Sequence, residues 1–216
     1  MNIKKSLLLV FVILLIDQAV KIYIKTHFAL GEEVEVFSWF KIHFLENNGM
    51  AFGAELGGSI GKILLTSFRI IAIGGIYYWL LNSIKKKEHF LLIISISLIL
   101  AGAIGNIIDS VFYGQFFGES SYHHIASVLP EQGYAPWFQG KVVDMFYFPL
   151  FEFNIAGKHF TFFEPIFNIA DSAITVGVFI MIIFYKKIFN TEKDIKKKTF
   201  EQNIDEIINN KDNAIV

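Results

Sequence analysis

Four long apolar blocks, separated by stretches in which polar residues are frequent, dominate the pattern along the chain. A helix needs about 20 mainly apolar residues to cross the hydrocarbon core of a membrane. The pattern therefore predicts four transmembrane helices, at about residues 6–24, 63–81, 90–108 and 166–185. The first block follows two lysines, as a signal peptide would, but it continues into "DQAVKIY" without a small-x-small cleavage site. We therefore interpret it as a retained helix.

The stretches after the first and third blocks have a different pattern, in which apolar and polar residues alternate as they do in strands. The first example is "GEEVEVFSWFKIHFLENNGMAF", and a second, "FPLFEFNIAGKHFTFF", predicts a hairpin that turns near residues 156–158. The predicted fold class is an all-α integral membrane protein with four transmembrane helices, a small outward-facing β-rich subdomain and an extended outer loop.

Lysines flank alternate ends of the apolar blocks: Lys4 and Lys5, then Lys85–Lys87, then Lys186 and Lys187. Because cytoplasmic loops carry an excess of Lys and Arg, this pattern places both termini in the cytoplasm. The segments at about 26–60 and 110–164 then face outward. We expect one membrane domain over residues 1–189, followed by a charged cytoplasmic tail over 190–216.

Composition narrows the classes of function. The chain is 54% hydrophobic with a mean hydropathy of +0.49, which is too apolar for an ordinary soluble domain, and we expect no nucleic-acid partner. The absence of Cys excludes disulfides, thiolate metal sites and cysteine nucleophiles. His123-His124 offers no third metal ligand, so we expect no metal and no cofactor. The nucleophile-elbow pattern "GGSIG" lacks the strand-turn-helix context of an α/β hydrolase.

Four aspartates lie in or beside the apolar blocks, toward the predicted outer face: Asp17, Asp109, Asp144 and Asp171. An ionisable side chain in a membrane helix is costly and marks a candidate functional site. Two carboxylates at a membrane surface suggest an aspartic hydrolase, in which the pair shares one proton. The alternative is that these aspartates cap helices or bind a lysine, and spacing by itself does not separate the two interpretations.

Five short motifs occur in a fixed order along the chain: "IDQAVK", "ENNGMAFG", "AGAIGNIID", "VVDMF" and "FNIADSAI". Over roughly residues 10–186 this order resembles the lipoprotein signal peptidases, or signal peptidase II. The resemblance implies a metal-free aspartic endopeptidase that cleaves bacterial prolipoproteins before their diacylglyceryl-modified Cys. It implies Asp144 and Asp171 as the catalytic pair, with a second set that supports the pair or binds substrate: Asn47, Gly49, Asn106, Asp109, Asn168 and Ala170.

The same resemblance implies that Asp17 and Lys21, four residues apart on one helical face, form a structural pair. It places the protein in the bacterial cytoplasmic (inner) membrane as a multi-pass protein with its active site at the outer face. The expected partners are lipid-modified prolipoprotein substrates and membrane lipids, and we expect a monomer.

The chain departs from the family pattern in two places. Ser110 stands where the family has an Arg after the aspartate of the third block, and residues 111–141 form a much longer connection. We expect Arg69, the single arginine, to substitute electrostatically by pairing with Asp109. The alternative is that Arg69 extends along its aliphatic stem to the outer surface.

For the long connection, we expect a mobile lid hinged at its glycines, which are Gly114, Gly118, Gly133 and Gly140. A tolerated surface insertion is the alternative. At the level of the whole protein, the alternative function is a non-catalytic four-span transport or assembly factor, whose intramembrane acids are structural or carry protons.

Overall fold

The computed structural model describes residues 1–49, 58–155, 158–162 and 165–189, with the backbone alone for 151–155 and 158–162. Its helices are α1 (Ile3–His27), α2 (Gly58–Lys85), α3 (Phe90–Ile108), α4 (Gly114–Phe116) and α5 (Ile169–Ile183). Its strands are β1 (Glu33–Phe37), β2 (Phe40–Asn47), β3 (Val142–Tyr147), β4 (Phe151–Ile155), β5 (Lys158–Phe162) and β6 (Ile166–Phe167).

Three described helices are long and apolar enough to cross a membrane: Ile3–His27, Gly58–Lys85 and Phe90–Phe116. The third is longer than predicted, because α3 continues through a π-helical turn at Asp109–Tyr113 into α4. The sequence interpretation ended the helix at about residue 108, so the helix is longer than expected, and the outward-facing position of the segment from residue 110 stays a prediction. The apolar run "VFYGQFF" explains the extension, since it continues the hydrophobic surface of α3.

The fourth apolar helix, α5, begins later than the predicted residue 166. Ile166 and Phe167 form β6 instead, pairing with Tyr147 and Phe146 of β3, and Asn168 then starts the helix. The backbone groups of these two residues are satisfied by the sheet, so the helix starts only where a capping side chain is available.

The strands that the alternation predicted are present, and they form a four-stranded antiparallel sheet in the order β1-β2-β3-β6. Leu45 of β2 lies opposite Asp144 of β3, which sets the register at the centre of the sheet. The predicted hairpin is also present as β4 and β5, with Ile155 opposite Lys158, although its turn at 156–157 lies outside the described residues. Gly58 of "GGSIG" begins α2, and the residues directly before it lie outside the described part of the chain.

Close contact between α3 and α5 depends on small residues. A Cβ on Gly102 would collide with the backbone carbonyl oxygen of Ala170, and one on Gly177 would lie 2.8 Å from the carbonyl oxygen of Ser95. Glycine therefore lets the two backbones approach, as small residues commonly do between membrane helices. This approach brings the start of α5 against the end of α3, where the polar residues lie.

The close approach predicts that Gly102→Ala will destabilise the protein by roughly 1–3 kcal/mol, because the added methyl group overpacks a backbone contact. Gly74→Ala in α2 is the matched control, since a Cβ there meets no atom within 4 Å. Thermal unfolding of the purified protein in detergent measures both. Equal melting temperatures for the two variants would contradict the assignment of Gly102 to the α3–α5 contact.

Candidate active site

The first turn of α5 is closed by two reciprocal hydrogen bonds between Asn168 and Asp171. The Asp171 amide donates to Asn168 Oδ1 at 2.9 Å, and the Asn168 amide donates to Asp171 Oδ2 at 3.2 Å. This is a capping box, and the positive end of the helix dipole favours the carboxylate of Asp171. Asp171 thus caps a helix, but its second oxygen stays available for other partners.

Asp144 lies in β3, which places its side chain beside the start of α5. It is 4% exposed, and Asn168 Nδ2 donates to its Oδ1 at 2.7 Å. Burial and the nearby carboxylate of Asp171 raise the pKa of Asp144 to about 7. Hydrogen bonds from Asn168 and Asn47 and the charge of Lys21 act in the opposite direction on that pKa.

Each of two asparagine amides is oriented by a neighbour that can only donate. Asn106 Oδ1 accepts from Lys21 Nζ at 2.9 Å, so its Nδ2 points to Asp171 Oδ1 at 2.7 Å. Asn168 Oδ1 accepts from the Asp171 amide, so its Nδ2 is left to donate to Asp144. Because an amide group has one accepting end and one donating end, each carboxylate receives an N–H.

Lys21 connects this network to two further aspartates. Its Nζ lies 3.0 Å from Asp17 Oδ2 and 2.9 Å from Asp109 Oδ2, and all three side chains are buried. Asp17 Oδ1 accepts from the Ala170 amide at 2.9 Å, and Asp109 Oδ2 accepts from the Val143 amide at 3.2 Å. The two acids thereby join α1 and α3 to the backbones on either side of the site.

Gln18 is a member of this network to which the sequence interpretation gave no role. Its Nε2 donates to Asp17 Oδ2 at 3.1 Å and to Asp109 Oδ1 at 3.0 Å, and its Oε1 accepts from the Tyr113 hydroxyl at 3.2 Å. Its position in the "IDQAVK" motif was the available signal.

A cavity of about 200 Å³ opens beside the two aspartates. Its described lining consists of Asn47, Gly49, Arg69, Asn106, Val142, Asp144 and Asp171. The structure therefore brings Asp144 and Asp171 to one cavity, together with three of the six residues expected to support them, Asn47, Gly49 and Asn106. The other three, Asp109, Asn168 and Ala170, are fully buried and do not belong to the described lining.

Arg69 has different partners from the expected one. Its Nη2 donates to the carbonyl oxygen of Gly49, and Asp171 is the carboxylate whose charge acts on it. Asp109 instead pairs with Lys21 of α1, so its charge is already balanced by another cation. The expected Arg69–Asp109 pair is wrong. Ser110, at the position of the family's Arg, is 2% exposed and donates to the carbonyl oxygen of Asn106 at 3.0 Å.

The long connection over residues 111–141 packs beside the site without lining its described wall. A Cβ on Gly114, Gly133 or Gly140 would collide with backbone atoms, so glycine at these positions permits close backbone contacts. The mobile lid hinged at these glycines stays a prediction. A second buried cluster holds this segment: Lys25 pairs with Glu46, and both contact Ser120 Oγ at 3.0 Å.

The family model and the similar proteins of known family agree with each other. The family model described as signal peptidase (SPase) II matches residues 9–187. A lipoprotein signal peptidase of Porphyromonas gingivalis is 46% identical over 198 residues, covering 88% of this chain and 86% of the relative. One from Amoebophilus asiaticus is 36% identical over 180 residues, 78% of this chain and 72% of the relative. A bacterial membrane enzyme solved by the in meso method at 1.9 Å has a TM-score of 0.57 and 29% identity, covering 84% of this chain and 92% of that structure.

The hydrogen bonds of Asn168 predict two separable effects of Asn168→Ala. Loss of the cap should cost about 1 kcal/mol of stability. Loss of the N–H that Asp144 receives should lower the expected cleavage activity by about tenfold or more. Asn2→Ala is the matched control, because Asn2 caps α1 through Lys5 at 3.0 Å, away from the cavity. Equal losses of activity in the two variants would show that capping explains the whole effect.

Proposed function

Because the chain belongs to the signal peptidase II family, we propose that Asp144 and Asp171 are the pair with which it hydrolyses its substrate. The protein is a membrane aspartic endopeptidase that removes signal peptides from bacterial prolipoproteins. The bond cleaved is the one before the lipid-modified Cys. The single observation that carries the residue assignment is that both carboxylates line one cavity and each accepts an asparagine N–H there.

The proposed reaction needs one ionised and one protonated carboxyl group. The ionised carboxylate accepts a proton from water as the water oxygen attacks the peptide carbonyl carbon, and the protonated carboxyl group donates to the carbonyl oxygen. Collapse of the tetrahedral intermediate breaks the C–N bond, and the leaving nitrogen of the Cys takes a proton. The products are the carboxylate of the signal peptide and the free amine of the lipid-modified Cys.

The surrounding donors suit this arrangement. The raised pKa of Asp144 favours a shared proton near neutral pH, while Asp171 accepts a hydrogen bond from the Asn106 amide in the first turn of α5. The pair titrates as a unit, so the two roles are properties of the pair. The lipid anchor of the substrate holds the peptide bond near the membrane surface, which reduces the entropic cost of positioning it.

The topology that we propose has four spans, with α5 as the fourth, both termini in the cytoplasm and the cavity at the outer face of the bacterial inner membrane. The lysines that flank alternate spans support this orientation. We also propose that the protein is a monomer in contact with membrane lipids. Supporting roles are proposed for Asn47, Gly49, Asn106, Asp109, Asn168 and Ala170, and a structural role for Asp17 and Lys21. A non-catalytic transport or assembly factor is not favoured by the family.

Asp144→Asn and Asp171→Asn should each lower cleavage by roughly 10³-fold or more, because each removes a titrating group while keeping its shape. The measurement is the conversion of a purified lipid-modified prolipoprotein, followed by gel shift. Glu119→Gln, at an exposed position of the long connection, is the control for loss of one carboxylate and should retain full activity. Substantial turnover by either aspartate variant would overturn the assignment.

The rate should also fall as the pH rises through about 7, because the proton with this pKa is then lost and no general acid remains. The measurement is kcat/KM between pH 5 and 9. Asn168→Ala removes a donor that favours the ionised form of Asp144, so the decline should move to higher pH. A rate that stays constant between pH 7 and 9 would contradict this assignment of the proton.

A further inference from the structure

We propose that Arg69 is a positioning residue, which acts on Asp144 from α2 through a chain of contacts that passes through Gly49 and Asn47. The inference rests on the proposed catalytic pair and adds to it a residue that reaches the site from α2. It also explains how the site is completed in a chain with Ser110 at the position of the family's Arg.

The first contact joins α2 to the end of β2. Arg69 Nη2 donates to the Gly49 carbonyl oxygen, and the guanidinium borders the cavity that both aspartates line. Gly49 has a φ of +82°, which is the left-handed region that favours glycine. A Cβ there would lie 2.6 Å from Arg69 Nη1, so the close approach of the guanidinium also requires glycine.

The second contact orients Asn47. The Gly49 amide donates to Asn47 Oδ1 at 2.8 Å, which occupies the accepting end of that side-chain amide. The donating end is then the one available to the carboxylate of Asp144, which lines the same cavity and whose pKa Asn47 lowers. Arg69 therefore binds the carbonyl oxygen of Gly49, and Asn47 binds the amide of the same residue. The position of the guanidinium is therefore transmitted to the donor that Asp144 receives.

The charge of Arg69 adds a second effect of the same sign. Asp171 on α5 is the carboxylate that attracts it. The other charged groups packed around Asp144 are Lys21 from α1 and Asp171 from α5, while Asp109 at the end of α3 binds the neighbouring Val143 amide. Loss of Arg69 would remove both a positive charge and an oriented donor from a site that holds several acids. Both losses favour protonated carboxyl groups, so the alkaline decline of the rate should move to higher pH.

The test compares Arg69→Ala, Arg69→Lys, Asn47→Ala and the Arg69→Ala/Asn47→Ala double variant in steady-state cleavage assays. We expect Arg69→Ala to lower kcat by about tenfold with KM changed less than about twofold, and to move the alkaline decline upward by roughly half a pH unit. Arg69→Lys keeps the charge and one donor, so it should recover part of kcat. Phe68→Leu, at the adjacent exposed position, is the control and should match the unaltered protein.

The decisive comparison is the double-mutant cycle. The cycle compares kcat of each variant at a pH below its alkaline decline, where the effect of the Arg69 charge on the pH dependence does not enter. If Arg69 acts through Asn47, the double variant should then be less than about twofold slower than Asn47→Ala. Independent, multiplicative losses would overturn the proposal, and so would a rise in KM at unchanged kcat, which would indicate direct substrate binding.

If Arg69→Ala does not accumulate as folded protein, the same cycle with Arg69→Lys decides. Asp144→Asn is measured in parallel: activity in that variant would refute the catalytic pair, whereas an inactive Asp144→Asn beside a fully active Arg69→Ala would refute the role of Arg69 alone.

Discussion

The structure depends on a buried ammonium group. Lys21 Nζ contacts Asp17, Asp109 and Asn106, which belong to α1, the end of α3 and α3 itself. A buried charge is costly unless it is paired and its remaining hydrogen bonds are made, and here every neighbour of the ammonium is an acceptor. The two acids also bind the Ala170 and Val143 amides, so one cation aligns the start of α5 with β3. Those two elements carry Asp171 and Asp144.

The direction of the hydrogen bonds to the two catalytic candidates follows from that alignment. Lys21 occupies the accepting end of Asn106, which turns the donating end to Asp171. The first turn of α5 does the same for Asn168 and Asp144. Two carboxyl groups close to each other in a poorly solvated place resist double ionisation. Fixed amide donors let one of them be ionised without solvent, which is the electrostatic preorganisation that acid–base catalysis requires.

The long connection over residues 111–141 is accommodated because it is held by a different ion pair. Lys25, one turn after Lys21 on α1, pairs with Glu46 and contacts Ser120, while its ammonium lies 4.7 Å from the centre of the Tyr134 ring. The Leu30 amide also donates to the Ser121 carbonyl oxygen at 3.0 Å. These contacts attach the segment to α1 and β2, and none of its residues belongs to the described lining of the cavity.

The sequence by itself determined the apolar helices, the alternating strands, the five ordered motifs and the two aspartates that share a cavity. The helices, the strands and the order of the motifs follow from periodicity, composition and local spacing, which depend on residues near each other in the chain. The choice of Asp144 and Asp171 was implied by the resemblance to signal peptidase II, because spacing by itself left the role of the four aspartates open. The tertiary structure decided that α3 continues to Phe116, that β6 precedes α5, that Gln18 joins the buried network and that Arg69 binds Gly49. The Arg69 error shows the reason: a flexible side chain reaches several acceptors from one backbone position, and α2 packing selects among them. Which group a long side chain contacts is set by how distant elements pack and in what register, and one-dimensional spacing does not contain that information.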